Sequence, residues 1–227
     1  MPYDWVVFDA DETLFTFDAR QGLAALFGRY ELPFDDATFT EFKQVNQPLW
    51  QGFQRGELTA KDIKQRRFVP WEQKLGKPSE AINTEFMSCM ATICETIEGT
   101  ERLLESLHGK AKMGIITNGF VELQQERLEK TKTAKYFDFL VVSEQLGVAK
   151  PDPEIFHYTH KNHMSEQPAP ERILMVGDNP HSDILGGLNA GWHTCWFNRD
   201  NSQLPEDIRP HHTITHLDQL TSLLNER

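Results

Sequence analysis

The feature that most constrains the fold of this chain is a set of short, almost continuously apolar segments separated by longer amphipathic ones. Five of them are rich in β-branched residues: WVVFDAD from Trp5, MGIITNG from Met113, FLVVSE from Phe139, ILMVGD from Ile173 and TCWFN from Thr194. A strand that is apolar at nearly every position is buried on both faces, as in a parallel sheet covered by helices. The intervening segments carry helical periodicity and helix-start signals. The sequence therefore predicts an α/β fold with a doubly wound parallel sheet.

A long gap separates the first two predicted strands. The first ends near Asp11 and the second begins near Met113, whereas a simple crossover needs far fewer residues. Helix signals occur in this gap at residues 18–28, 36–52 and 59–75. We interpret the gap as a helical insertion placed directly after the first strand. It divides the chain into a main domain of residues 1–16 and 88–227 and a small helical domain of residues 17–87.

Composition restricts the partners and the compartment. The 227 residues include 23 Lys and Arg against 34 Asp and Glu, a formal net charge of −11, which argues against polymeric nucleic acid and anionic membranes as partners. No apolar run approaches the roughly 20 residues that span a bilayer, and the first ten residues lack the features of a secretory signal. The three cysteines form no CxxC pair, which favours a reducing compartment. We expect a cytoplasmic protein that is a monomer or a weak homodimer.

Four predicted strands end in polar residues suited to phosphoryl transfer. They are Asp9 and Asp11 after the first strand, Thr117 and Asn118 after the second, Lys150 after the third, and Asp178 with Asp183 after the fourth. Ligands of open α/β sheets bind at the carboxyl ends of the strands. One acid at a strand end would mean little, but four such clusters in the same topological position are difficult to obtain by chance. The sequence therefore predicts a phosphoryl-transfer site at this edge of the sheet.

Each of these side chains has a chemical task. Residues two apart in an extended segment point the same way, so Asp9 and Asp11 can face one pocket. Asp9 is placed to attack phosphorus as a nucleophile, and Asp11 to protonate the leaving oxygen and later deprotonate the attacking water. Thr117, Asn118 and their backbone N–H groups open a helix, whose N-terminus suits a phosphate oxygen. Lys150 would neutralise charge that develops on the transferred group.

The balance of charge at these strand ends predicts a divalent cation. The four aspartates bring four negative charges, whereas Lys150 brings one positive charge. A dianionic phosphate would be repelled from such a site unless a cation were bound there. Asp178 adds an oxygen ligand of the kind that Mg²⁺ prefers. We expect Mg²⁺, with Mn²⁺ or another divalent cation as a substitute.

The motifs DADET, TNG, the lysine in AKP, and GD followed by SD resemble the four motifs of the haloacid dehalogenase superfamily, in particular its Mg²⁺-dependent phosphatases. The resemblance implies a Rossmann-like core with a C1-type helical cap inserted after the first motif. It implies that Asp9 is the nucleophile and Asp11 the acid and base, and that Thr117 and Lys150 bind phosphate. The family often has glycine where this chain has Glu12.

The same resemblance implies a set of metal ligands. Asp9, the backbone carbonyl of Asp11 and Asp178 would hold the metal. Asp183 would lie behind them and orient either the waters bound to the metal or Lys150. A carboxylate beside Ser182 at a helix start is also a common helix cap, and this alternative for Asp183 stays open.

Further segments are similar to pyrimidine 5′-nucleotidases of this superfamily: DADETLFTFD, VNQPLW, IITNGF, GVAKP and SDILGGLNAG. This similarity implies a small-molecule substrate, a nucleoside monophosphate, with hydrolysis of deoxyuridine, uridine and thymidine monophosphates. Four aromatic residues offer faces on which a base could stack: Phe15, Phe17, Trp50 and Phe53. Packing between cap helices explains each of them equally well. Asn46, within VNQPLW, is a further candidate for substrate specificity.

Other functions fit the same motifs. A phosphatase or phosphomutase acting on a small sugar phosphate keeps the fold and changes the substrate or the reaction. A dehalogenase is disfavoured because its reaction leaves no alkoxide for Asp11 to protonate. A non-enzymatic alternative is a phosphoryl-accepting module similar to a response-regulator receiver, which also places acids, a Thr and a Lys around Mg²⁺. The order of the motifs and the large insertion count against it.

Overall fold

The computed structural model describes residues 2–225, and over this range the chain forms two compact units. The first contains the chain up to Thr16, Glu95–Asn118 and the chain from Thr131 onward. The second contains Phe17–Cys94 and Gly119–Lys130. The segment Gly119–Lys130, which the sequence places in the main domain, thus groups with the helical insertion. The division into a core and a cap at residues 17–87 stays a prediction.

The first unit is built on a sheet whose described strands are all parallel. In chain order they are β1 (Trp5–Phe8), β2 (Lys112–Thr117), β3 (Phe139–Val142), β4 (Ile173–Gly177), β5 (His193–Phe197) and β6 (His212–Ile214). Their order across the sheet is β3-β2-β1-β4-β5-β6. The chain reverses its direction of winding at β1, which pairs with β2 on one side and β4 on the other. This confirms the predicted doubly wound α/β fold, and such a switch point is where ligands bind.

The helices occupy the segments between and after these strands. In chain order they are α1 (Ala19–Gly28), α2 (Asp36–Gln54), α3 (Ala60–Arg66), α4 (Glu72–Leu75), α5 (Ser79–Ile93), α6 (Thr100–Leu107), α7 (Val121–Thr131), α8 (Ser143–Leu146), α9 (Pro153–His163), α10 (Leu185–Asn189) and α11 (Leu217–Asn225). A π-helical turn, Pro180–Ile184, precedes α10. Among residues 2–225, each helix is too short or too polar to traverse a lipid bilayer.

The apolar strands are buried as their composition predicts. Every residue of β1 and of β4 is buried, because helices cover both faces of a doubly wound sheet. On one face a cluster of buried side chains joins β1, β2 and β4 to α9: Trp5, Val7, Ile116, Met175 and Phe156. Helix α9 begins at its predicted signal, since the Asp152 side chain accepts a hydrogen bond from Glu154 N and proline is the first helical residue. The sheet is therefore a rigid platform for the residues that follow its strands.

The predicted end of the first strand is wrong. β1 ends at Phe8 rather than near Asp11, because the chain turns back on itself after Ala10. The N–H groups of Leu14 and Phe15 both donate to Ala10 O at 3.0 Å. Asp9 thus directly follows the strand, and Asp11 lies in the turn that begins at Ala10.

The helices of the second unit differ from the predicted ones in detail. Helix α2 continues through Pro48 and ends at Gln54 rather than Gly52. The predicted helix of residues 59–75 is divided by a 3₁₀ turn, Val69–Trp71, because Pro70 has no N–H to continue the α-helical ladder. The unit has an aromatic interior in which the Phe42 ring lies 5.5 to 6.3 Å from three others, those of Phe68, Phe86 and Trp71.

Within the second unit, polar and aromatic contacts hold the segment Gly119–Lys130 against residues of Phe17–Cys94. Lys130 Nζ donates to Cys94 O at 2.9 Å, just beyond the end of α5, where cations complement the helix dipole. The Phe120 ring lies 5.2 Å from that of Trp50, and Lys64 Nζ lies 3.3 Å from Glu122 Oε1. Helix α7 therefore follows the sheet in sequence but packs with the inserted helices.

Candidate active site

Asp9 is the first residue after β1 and occupies the switch point of the sheet. Its N–H donates to Val176 O of β4 at 2.8 Å, which fixes the backbone between two strands. The Asp9 side chain is only 11% exposed. Burial raises the pKa of Asp9 well above its ordinary value, the nearby Lys150 opposes this rise, and the carboxylates of Asp183 and Asp178 add to it. A buried carboxylate of this kind requires positive charge close by.

Lys150 supplies that positive charge from the loop after β3. Its side chain is 1% exposed, and its Nζ lies 2.6 Å from Asp9 Oδ1 and 2.7 Å from Asp183 Oδ1. Nζ also donates to Ile116 O at 2.7 Å. An ammonium group has three N–H donors, so each donor of Lys150 has a protein acceptor. A direct hydrogen bond from Lys150 to a phosphate would therefore have to replace one of these three contacts. The positive charge of Lys150 can act on a phosphate while all three contacts stay in place.

Asp183 holds Lys150 from the opposite side. It lies in the π-helical turn after β4 and is 1% exposed. Its Oδ2 accepts a hydrogen bond from Asn179 N at 3.0 Å and its Oδ1 accepts one from Ser182 Oγ at 3.1 Å. The carboxylate therefore bonds the backbone at the start of its own turn and pairs with Lys150 at the same time. The two roles that the sequence left open for Asp183 are compatible.

Gly177 makes room for this carboxylate. A β-carbon at position 177 would lie 2.3 Å from Asp183 Oδ2, closer than any van der Waals contact allows. The glycine of the GD motif is thus required because the Asp183 side chain passes directly over the end of β4. Gly177 belongs to the predicted GD motif but received no role from the sequence, although a glycine in a strand often marks a close approach of another group.

Asp178 lies next to Gly177 and is half-buried. Burial raises its pKa to about 7, Asp183 adds to the rise and Lys150 opposes it. Its backbone N–H donates to Thr13 Oγ1 at 3.0 Å, and Thr13 Oγ1 donates to Asp178 Oδ1 at 3.3 Å. Trp196 Nε1 of β5 donates to Asp178 O at 2.7 Å. Thr13 and Trp196 orient Asp178, and neither was identified from the sequence, since hydroxyl and indole groups carry no metal-ligand signature.

The donor set fits a hard divalent cation. Within residues 2–225, one group of three acids places a carboxylate oxygen of each within 4.8 Å of the others: Asp9, Asp178 and Asp183. Oxygen donors at this spacing are the ligands that Mg²⁺ takes in proteins. Both oxygens of Asp183 already bond Lys150, Ser182 or Asn179, which leaves Asp9 and Asp178 as the better ligands. The set of metal ligands implied by the resemblance, including the Asp11 carbonyl, stays a prediction.

The remaining predicted site residues differ in their exposure and in their hydrogen bonds. Asp11 is partly exposed and Thr117, the last residue of β2, is fully buried. The Asn118 side chain exchanges two hydrogen bonds with the backbone of Lys150: Nδ2 donates to Lys150 O and Oδ1 accepts from Lys150 N, both at 2.8 Å. The amide of Asn118 is therefore committed to holding the Lys150 loop. The phosphate contact of Asn118 and its backbone N–H stays a prediction.

The aromatic candidates for base stacking divide into two groups. Phe15 is 0% and Phe53 is 3% exposed, so packing accounts for both and neither offers a ring face to a ligand. Phe17, Trp50 and Asn46 are partly exposed. The role of these three in substrate specificity stays a prediction.

A buried lysine between two carboxylates, at the switch point of a doubly wound parallel sheet, is the arrangement expected of a phosphoryl-transfer hydrolase. A family model of haloacid dehalogenase-like hydrolases matches residues 3–191, which is most of the chain. The protein belongs to the haloacid dehalogenase-like hydrolases.

Individual relatives cover nearly the whole chain. It is 46% identical over 224 residues to pyrimidine 5′-nucleotidase YjjG of Escherichia coli, which is 99% of each protein. It is 28% identical to pyrimidine 5′-nucleotidase PynA of Streptococcus pneumoniae over 95% of this chain and 88% of that protein. Among solved structures it is similar to the putative HAD-hydrolase YfnB of Bacillus subtilis bound to magnesium, with 28% identity, a TM-score of 0.82 and 99% of each chain covered.

Proposed function

We propose that this protein is a Mg²⁺-dependent phosphomonoesterase that hydrolyses nucleoside 5′-monophosphates and prefers the pyrimidines dUMP, UMP and dTMP. The observation that carries the reaction is the position of Lys150 Nζ, 2.6 Å from Asp9 Oδ1 and 2.7 Å from Asp183 Oδ1. This contact holds a buried carboxylate at the point of the sheet where ligands bind. The pyrimidine preference is supported by the full-length identity of 46% to the E. coli nucleotidase.

In the first step, an oxygen of Asp9 attacks phosphorus and the bond between phosphorus and the ester oxygen breaks. Asp11 gives its proton to the leaving 5′-oxygen, so that the nucleoside departs as a neutral alcohol. The phosphoryl group is then an acyl phosphate on Asp9. Lys150 orients the Asp9 carboxylate for this attack through its hydrogen bond, and its charge stabilises the transferred group.

In the second step, the Asp11 carboxylate takes a proton from a water molecule as that water attacks the phosphorus of the acyl phosphate. The bond between phosphorus and Asp9 breaks, which releases inorganic phosphate and restores both aspartates. Asp178, oriented by Thr13 and Trp196, and Asp9 are the proposed metal ligands. A bound Mg²⁺ supplies positive charge that offsets the acidic residues and the dianionic phosphate.

The role of Asp11 is tested by the Asp11→Asn variant. An amide cannot donate the proton that the leaving oxygen needs, so we expect kcat for dUMP to fall by roughly two to four orders of magnitude, the usual scale of general acid–base catalysis. The variant should keep its melting temperature because Asp11 is partly exposed. A change in kcat of less than about threefold would favour the receiver-like alternative, which has no leaving alcohol to protonate.

The substrate is tested by phosphate release from a panel of nucleoside monophosphates and sugar phosphates. We expect kcat/KM for dUMP, UMP and dTMP to exceed that for purine nucleotides and small sugar phosphates by at least about tenfold, the discrimination available from a few base contacts. A sugar phosphate cleaved as well as UMP would replace the nucleotidase with a sugar-phosphate phosphatase. Conversion of a sugar phosphate to its isomer, without phosphate release, would indicate a phosphomutase.

A further inference from the structure

Glu12, which directly follows Asp11, has an unusual backbone conformation. Its φ of 57° lies in the left-handed region that residues with a β-carbon occupy at a cost in energy. Its N–H donates to Phe15 O at 2.8 Å, which closes the turn after Ala10. The turn that presents Asp11 therefore depends on a strained residue, and such strain persists where surrounding contacts hold it.

The Glu12 side chain forms an ion pair with Arg199 of the segment after β5: Arg199 Nη2 contacts Glu12 Oε2. This segment is itself ordered by a hydrogen-bonded turn, since Asn198 Oδ1 accepts from Ser202 N at 2.8 Å and Asn198 Nδ2 donates to Ser202 O at 3.0 Å. The arginine thus projects from a fixed segment rather than from a loose loop.

The ion pair lies beside Asp178. A cavity of about 200 Å³ is lined by Glu12, Asp178, Trp196 and Arg199, among other residues. Two links cross this region. Thr13, adjacent to Glu12, bonds Asp178, and Trp196, three residues before Arg199, bonds the same residue through Nε1. The turn after β1 is therefore linked to β5 through Asp178 and to the segment after β5 through the ion pair.

The ion pair of Glu12 and Arg199 is accessible to water, which limits its contribution to the stability of the whole protein. The side chains of Arg199 and Glu12 are 40% and 35% exposed, and ion pairs this accessible to water contribute little to global stability. A contact that adds little to global stability can still hold a single turn in place, and this one is made by the residue next to Asp11.

We infer that Glu12 and Arg199 form a positioning pair that fixes the turn carrying Asp11 against the segment after β5. Neither residue touches the reacting atoms in the scheme above, and the catalytic part of the inference rests on the proposed function. The pair holds Asp11 within reach of the leaving oxygen, because a small misplacement of a catalytic group lowers the rate steeply. Its loss should lower kcat more than it changes KM or the melting temperature.

The test is a double-mutant cycle on kcat for dUMP with Glu12→Gln, Arg199→Gln and the double variant. Each single variant should lower kcat by about tenfold and the double variant by little more than either one, because the first substitution already breaks the pair. Arg199→Lys keeps the charge and should recover part of the rate. Arg102→Gln removes an ion pair of similar exposure with Asp218 and serves as the matched control, with kcat unchanged.

The rate of amide hydrogen exchange measures how firmly the same turn is held and requires no assay of activity. In Arg199→Gln, the N–H groups of Leu14 and Phe15 should exchange at least about fivefold faster than in the wild type, while those of the β strands should not change.

Exchange at the turn equal to that of the wild type would overturn the inference. So would single variants within twofold of the wild-type kcat, or effects that multiply in the double variant. A wild-type protein that cleaves no phosphomonoester would refute the proposed function and, with it, the catalytic part of this inference. Exchange would still decide whether the pair fixes the turn.

Discussion

Replacing Asp9 with Asn is expected to lower kcat for dUMP by at least about four orders of magnitude, because an amide cannot form the acyl phosphate on which both steps depend. Quenching the wild-type reaction in acid during turnover should leave a phosphoryl group on a peptide that contains residue 9, as detected by mass spectrometry. The same peptide from the variant should carry none.

The variant should fail in catalysis and not in folding. Asn has nearly the shape of Asp, and Lys150 keeps two of its acceptors, Asp183 and Ile116 O. We therefore expect a melting temperature within a few degrees of the wild type. Asp218→Asn, which removes an exposed carboxylate paired with Arg102, is the control and should retain full activity. Substantial turnover by correctly folded Asp9→Asn protein would exclude the aspartyl-phosphate route.

Removal of divalent cations is expected to abolish turnover. Carboxylate oxygens of Asp9, Asp178 and Asp183 lie within 4.8 Å of one another. Lys150 pairs with two of these carboxylates. Without a metal ion, the remaining negative charge would repel a dianionic phosphate. Addition of Mg²⁺ after chelation should restore the rate, and Mn²⁺ should restore part of it.

A binding measurement separates this effect from a general loss of structure. Titration calorimetry with Mg²⁺ alone should detect a site in the wild type and a much weaker one in Asp178→Asn, because that substitution removes a proposed oxygen ligand. Full activity in excess chelator, with metal content verified as zero, would exclude the proposed role of the cation.

The fold was largely predictable because its strands are apolar at almost every position. β1, β2, β3, β4 and β5 all coincide with apolar runs, because a parallel sheet covered by helices buries its strands on both faces. β6, His212–Ile214, lacks this signal because it is a short edge strand with one fully buried residue. Its position depends on pairing with β5, which local sequence does not report.

The residues of the candidate site could be predicted where the chemistry requires a particular side chain. They could not be predicted where the packing of loops decides the contacts. Asp9, Lys150, Asp178 and Asp183 were identified because they follow four predicted strands whose carboxyl ends meet at one edge of a parallel sheet. The commitment of Asn118 to the Lys150 backbone depends on how two loops meet, which no local pattern encodes. Contacts of this kind join residues that are distant in sequence, so they become visible only in the folded chain.

The two connections between the sheet and the inserted helices run side by side. Thr16 N donates to Glu95 O at 2.9 Å and Ile97 N donates to Leu14 O at 2.9 Å, so the chain leaves the sheet and returns to it through one short antiparallel ribbon. A segment whose two ends are already joined adds no loop-closure cost to the rest of the domain. The number and length of the helices between these ends therefore place no demand on the register of the strands.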